Sequence, residues 1–323
     1  MKTVKLGKWR RLHQAANARG TFAILAIDHR GPLRRALARL SPSSDPDSAL
    51  AELKEDIVRE LSPQATAVLL DPEMGLPHCV RRGVLPGSTG LIVAQDTGST
   101  GDPATLSTGL VPDWTVADTA RIGAAGAKLL VYYHPQASDA PRVEEVIRSV
   151  ASACAREEIP LFLEPLSFSP ESPGTPLASE ARRRVVVETA RRLVPLGVDV
   201  LKAEFPLNPA EQTDTAVWQE ACAELSEACP VPWVLLSGGV SWENFLRQAE
   251  IACRAGASGV MAGRAFWNEA VTPDLTARRH FLARESANRF RRLRAVVDAC
   301  ATPLQRLIEP VPPDQSCRPA MNE

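Results

Sequence analysis

No two cysteines in this chain stand as C-x-x-C, and no two histidines are spaced H-x-H or H-x-x-x-H. Cys79, Cys154, Cys222, Cys229, Cys253, Cys300 and Cys317 are scattered, three of them in Ala-rich stretches. They read as small buried hydrophobes and occasional thiols of a reducing compartment rather than as a disulfide framework or a metal site. The five histidines lack ligand spacing, so the chain is expected to need neither metal nor cofactor. Net charge is also missing. With 37 basic against 38 acidic residues the formal charge is −1, which leaves no general attraction for nucleic acid or an anionic membrane, so any anion site must be local. No run has the uninterrupted apolar length of a membrane helix, and the basic opening MKTVKLGKWRRLHQAANARG has no signal-peptide core. A cytoplasmic protein is expected.

What the chain does contain is repetition. Eight short apolar runs recur: 22–27, 67–70, 91–94, 127–133, 161–163, 198–205, 233–236 and 259–262. Near-continuous apolar runs of this length suit parallel strands buried on both faces. Helical segments are expected between them at 45–61, 118–125, 141–158, 179–196, 213–228 and 241–255, with Ser241 entering the last and Gly256 ending it. Eight alternations favour a closed (β/α)8 TIM barrel over an open doubly wound sheet, and 323 residues fit one such domain. No G-x-G-x-x-G follows the first run, which argues against dinucleotide binding. The expected division is an N-terminal extension (1–20) whose helix at 8–18 closes the barrel bottom, the barrel (21–301), and a tail (302–323). The barrel ends in a helical extension at 274–301 whose many arginines read as a solvated face. From Pro310 onward the Pro-rich, polar tail is expected to be disordered.

Barrel chemistry gathers where strands end, and polar residues stand there. The first run ends in Asp28-His29-Arg30, the second in Asp71-Pro72-Glu73, the third in Gln95-Asp96, the fifth in Glu164-Pro165, the seventh in Ser237-Gly238-Gly239 and the eighth in Gly263-Arg264. Lys202 sits inside the sixth run. An ammonium in so apolar a segment is penalised by desolvation, which favours the neutral amine needed for Schiff-base formation; a strand-end lysine with a packed stem is the structural alternative. Strand alternation puts Lys128 on one face with Leu130 and Tyr132, and two interior lysines are expected to lower each other's pKa. Glu164 is placed to shuttle a proton, with low dielectric expected to raise its pKa. Ser237, Gly238, Gly239, Gly263 and Arg264 occupy the two loops where barrels bind phosphate through backbone N–H groups. Arg30 offers a second anion contact and Asp28 a partner for sugar hydroxyls. The long loop 95–115 reads as a lid.

The stretches ILAIDHRGPLRRAL, LLDPEMGLP, DWTVADTARIGAAGAKLLVYYHP, FLEPLSF, DVLKAEFP, LLSGGVSWENF and GASGVMAGRAFW, in this order, resemble the class I tagatose-1,6-bisphosphate aldolase family, which includes aldolases of 6-deoxy-6-sulfofructose 1-phosphate. The resemblance implies a (β/α)8 barrel and reversible cleavage of a phosphorylated ketose to dihydroxyacetone phosphate and an aldehyde. It implies Lys202 as the Schiff-base lysine, Glu164 as acid/base and Lys128 as the second active-site lysine. It further implies Asp28 and Arg30 as substrate contacts, and Ser237, Gly238, Gly263 and Arg264 as anion-binding residues. His29 departs from the Gln usual in the family, so it bears on which terminal group is read. The expected partner is a small-molecule phosphorylated ketose, with homo-oligomer formation left open. Two rival readings are a Schiff-base dehydratase or lyase of a non-phosphorylated oxo-acid, and a non-catalytic sugar-phosphate-binding protein.

Overall fold

The computed structural model describes residues 1–42, 45–98, 106 and 109–312. It opens with strand β1 (Lys2–Val4) and helix α1 (Leu6–Ala15), then enters β2 (Phe22–Ala26). Helices α2 (Gly31–Leu40) and α3 (Pro46–Leu61) lead to β3 (Ala67–Leu70), and α4 (Gly75–Arg81) leads to β4 (Gly90–Ala94). The chain continues through α5 (Val116–Arg121), β5 (Gly126–Tyr132), α6 (Ala140–Arg156), β6 (Leu161–Leu166), α7 (Ser179–Leu193) and β7 (Val200–Ala203). After α8 (Thr215–Ala228), β8 (Trp233–Leu235), α9 (Trp242–Arg254) and β9 (Gly259–Ala262) come α10 (Arg264–Trp267), α11 (Leu275–Phe281), α12 (Ala287–Cys300) and β10 (Ile308–Pro310). Strands β2 to β9 pair in sequence order, all parallel, and β9 pairs back onto β2 to close the barrel. The expected (β/α)8 architecture is the one observed.

Strand alternation divides the apolar side chains into two cores. Phe22, Ile24, Ala26, Ile92, Phe162, Val200, Val234 and Met261 fill the barrel interior, while Ala23, Leu25, Leu129, Leu163, Leu201 and Leu235 pack outward against the helices. This settles the direction of the polar residues. Ala127 and Leu129 face outward, so Lys128 between them faces in; Phe162 fixes Glu164 inward, and Val200 fixes Lys202 inward. Helix α1 closes the bottom through Leu12 and Ala15, which join the interior core. Asp199, at the foot of β7, accepts from Lys2 at 2.6 Å and Lys8 at 2.5 Å, and so ties this closure to the barrel.

Helix boundaries follow local chemistry. Asp45 caps α3 by accepting from the N–H groups of Asp47 and Ser48, with Pro46 in the first turn. Ser241 caps α9 as expected, accepting from Asn244 N–H. Three expectations need correction. Pro310 is ordered: β10 pairs in parallel with β1, Val4 opposite Pro310, because a proline on an edge strand gives up no ladder donor; residues 313–323 lie outside the described residues. The arginine-rich helix is interrupted by a π-helical turn at Leu282–Ser286. Two of its arginines are also not solvated. Arg278 is buried against Asp56, and Arg289 pairs with Glu269 at 2.8 Å and stacks over Trp242. Of the expected lid, residues 99–105, 107 and 108 lie outside the described residues; its base is pinned by an antiparallel bridge between Asp96 and Leu110.

Candidate active site

At the C-terminal end of the barrel lies a cavity of about 860 Å³. Lys202 and Glu164 are on its floor, and Asp28, His29, Arg30, Ser237, Gly238, Gly263 and Arg264 are in its walls. These come from the ends of β2, β6, β7, β8 and β9, so the fold gathers residues far apart in the chain. Lys128 lies just beneath, fully buried. Gly239 lies under Arg264: a Cβ at this residue would meet the guanidinium at 3.1 Å, and its φ of +81° independently favours glycine. Gly263 is constrained from the other side, since a Cβ there would come within 2.3 Å of the Ala26 carbonyl oxygen.

The floor is a network of charges. One oxygen of Glu164, Oε2, is 2.8 Å from Lys128 Nζ and 2.9 Å from Lys202 Nζ. Lys128 Nζ also donates to Asp28 Oδ2 at 2.8 Å and is 3.2 Å from Asp96 Oδ2. Asp28, Asp96 and Glu164 thus converge on one ammonium. Two expectations about acidity are reversed here. Burial opposes the Lys128 charge, but Asp28, Asp96 and Glu164 outweigh it and hold the lysine well above its ordinary pKa. Burial likewise opposes ionisation of Glu164, yet Lys128 and then Lys202 hold its carboxyl below the usual value. Asp28 is held well below the carboxylate range: burial is outweighed chiefly by Lys128. Glu164 therefore rests as a carboxylate, an acceptor for a proton.

Around the walls, Arg30 does not present a free cation. Its guanidinium binds the Glu73 carboxylate and the Asp96 carbonyl, so its charge is spent on holding the strand ends together. Arg264, by contrast, is exposed, and its guanidinium has no hydrogen bond or ion pair among the described residues. His29 stands edge-on to Trp267, ring centroids 5.1 Å apart, with Nδ1 unpartnered and 3.8 Å from Asp28 Oδ1. Burial, and secondarily Arg264 and Lys202, lower its pKa to about 4, so the ring is neutral at pH 7. Trp267 donates to the Ala26 carbonyl at 3.1 Å and anchors α10 over the end of β2.

The linear reading noted Asp96 and Glu73 at their strand ends without giving them a role, and it left the inner face of α2 unassigned. Asp96 bridges the site: Oδ2 faces Lys128 and accepts from Leu130 N–H at 2.8 Å, while Oδ1 is 3.5 Å from Arg30. Its place at the end of the third apolar run was the available signal. Residues 22–269 match the model of the DeoC/LacD family aldolases. A tagatose 1,6-diphosphate aldolase of Enterococcus faecalis is 32% identical over an alignment covering 94% of this chain and 97% of that protein. The chain belongs to the DeoC/LacD aldolase family. A second relative, a tagatose 1,6-diphosphate aldolase of Streptococcus agalactiae, is 34% identical, covering 80% of this chain and 85% of its own. Among solved structures, a Schiff-base-forming fructose-1,6-bisphosphate aldolase superposes with a TM-score of 0.60 at 21% identity, covering 90% and 99% of the two chains. The fructose-bisphosphate aldolase of Plasmodium falciparum gives 0.69 at 15% identity, covering 93% and 98%. At these identities the DeoC/LacD chain shares their fold, and the chemistry has to be argued from its own residues.

Proposed function

We propose that the chain is a cytoplasmic class I aldolase that reversibly cleaves a phosphorylated ketose to dihydroxyacetone phosphate and an aldehyde. The observation that carries this reading is the floor geometry. A lysine amine at 2.9 Å from an ionised carboxylate, itself braced by a second, charged lysine, is an amine with its proton acceptor already in place. Lys202 would pass a proton to Glu164 and attack the C2 carbonyl of the ketose. Glu164 would return the proton to the carbinolamine hydroxyl, which leaves as water, and a protonated imine remains. That iminium withdraws the electron pair of the C3–C4 bond as the C4 hydroxyl gives its proton to Glu164, now a carboxylate again. The products are the aldehyde and the enamine of dihydroxyacetone phosphate. Protonation at C3 and hydrolysis then free Lys202. Lys128 stays charged throughout and steadies negative charge on Glu164 and the C4 oxygen.

Arg264 and the Ser237–Gly239 turn are the proposed holders of the C1 phosphate, since the guanidinium is unpaired and both flanking glycines allow close backbone approach. Binding an anion there orients C2 over Lys202 without touching the bond that breaks. The curated relatives make tagatose 1,6-bisphosphate the first ketose to try, and His29, Asp28 and the far wall would judge the other terminus. The test is borohydride reduction in the presence of dihydroxyacetone phosphate, followed by peptide mass spectrometry. A reduced adduct on Lys202 is expected, together with cleavage within a panel of tagatose and fructose 1,6-bisphosphates and 6-deoxy-6-sulfofructose 1-phosphate. An adduct on Lys128 instead, or none on either lysine, would sink the assignment.

A further inference from the structure

Helix α2 forms the wall of the cavity beyond His29, and its lining residues are Pro32, Leu33, Ala36, Arg39 and Leu40. These recur at the three- and four-residue spacing of one helical face. Arg39 is the charged member of that face. It is exposed and its guanidinium has no hydrogen bond or ion-pair partner among the described residues, whereas Arg34 on the same helix is paired with Asp47 at 2.6 Å. Helical side chains lean toward the N-terminus, here back toward the end of β2, so Arg39 is directed into the mouth of the cavity rather than away from it. The substrate reading above needs cations at two ends. Arg264 supplies one, and Arg30, which stands nearest on the other side, is already bound to Glu73 and Asp96.

Resting on that reading and deepening it, we propose that Arg39 is the contact for an anionic group at the far terminus of the ketose, the end that leaves as the aldehyde. Leu33, Ala36 and Leu40 would then border the carbon chain while Arg39 meets the charge at its tip. The helix starts directly after Arg30, and at about 1.5 Å per residue it carries Arg39 roughly 13 Å from the strand end before the side chain folds back. A two-ended ligand would thus lie across the barrel mouth from Arg264 toward α2. The competing account of Arg39 is that a cation in the last turn of α2 merely complements the helix dipole. The two accounts part on substrate discrimination.

The experiment compares kcat/KM for fructose and tagatose 1,6-bisphosphates with that for the matching ketose 1-phosphates, in the wild type and in Arg39→Gln, Arg39→Lys and Arg39→Glu. The bisphosphate-to-monophosphate ratio should fall by about tenfold or more in Arg39→Gln, as expected for a lost hydrogen bond to a charged group. The loss should appear mainly in KM. It should be partly recovered in Arg39→Lys and be deepest in Arg39→Glu. A ratio unchanged within twofold across the three variants would overturn the proposal and leave the dipole account. Borohydride labelling of wild-type Lys202 by dihydroxyacetone phosphate is run beside it. If labelling fails, the aldolase reading itself is lost, and the Arg39 assignment with it; labelling with an unchanged ratio removes only Arg39.

Discussion

Replacing Lys128 by Met and, separately, Glu164 by Gln should have opposite consequences for the two properties most often lost together, stability and turnover. The floor of the site holds Asp28, Asp96 and Glu164 against Lys128 and Lys202, an excess of one negative charge. Glu164→Gln removes a negative charge and leaves the cluster balanced, with a side chain of nearly the same shape. Lys128→Met doubles the excess and strips three buried carboxylates of the cation they share. Removing one partner of a buried ion pair costs about 3–5 kcal/mol because the remaining charge is left uncompensated. At roughly 2.1 cal/mol/K per residue the unfolding entropy of a chain this long is about 0.7 kcal/mol/K, so that cost lowers Tm by about 4–7 °C.

Thermal denaturation followed by circular dichroism at pH 7.5 measures this directly. Lys128→Met should melt several degrees below the wild type, and Glu164→Gln should melt within about two degrees of it. Turnover should rank differently, because Glu164→Gln removes the proposed proton carrier, a loss of about 10²–10⁴ in kcat for general acid–base catalysis. Equal Tm losses in the two variants, or no loss in Lys128→Met, would refute the charge accounting on which the site is built.

Other perturbations separate the remaining roles. Lys202→Arg should abolish both turnover and borohydride labelling despite its retained charge, since guanidinium does not deprotonate to form an imine; residual labelling elsewhere with turnover would show another nucleophile. Activity should survive exhaustive EDTA treatment because the iminium does the electron withdrawal, and zinc-dependent recovery after chelation would contradict the mechanism. Arg264→Ala should cost about 1.5–3 kcal/mol, one to two decades in kcat/KM, for phosphorylated substrates and far less for dephosphorylated analogues. Equal losses would make it a structural residue. His29, held at about 4 when folded against 6.5 in its ordinary state, binds its proton first in the unfolded chain, so folded-state stability is present above pH 6.5 and drains away as pH falls toward 4. The Tm of the wild type should therefore drop faster than that of His29→Gln across that window, and parallel curves would show that His29 titrates normally.

The barrel was legible because strands buried on both faces must be apolar almost without interruption, so Lys128, Glu164 and Lys202 stood out against them. Alternation alone then put each on a definite face, and only the neighbours that share the inner core identified that face as the interior. Acidity was not legible. The desolvation of Lys128 and Glu164 can be inferred from their own segments, but their counter-ions stand on other strands: Asp28 and Asp96, at the ends of β2 and β4, for Lys128, and Lys128 and Lys202, on β5 and β7, for Glu164. Arg30 failed in the same way, since Glu73 and Asp96 reach it from 43 and 66 residues further along the chain. Helix α2 was hidden for a local reason: Gly31-Pro32 after a polar strand end has the composition of a turn, yet proline in a first helical turn loses no hydrogen bond and is already set at the helical φ. The consequence reaches function, because leaving 31–40 unassigned leaves the mouth of the cavity without a wall and makes Arg30 its apparent far cation. Once the segment is helical, Arg30 is enclosed at its start and Arg39 is carried to the rim. The residue free to meet a second anion is then set by helix geometry and not by proximity to the strand end.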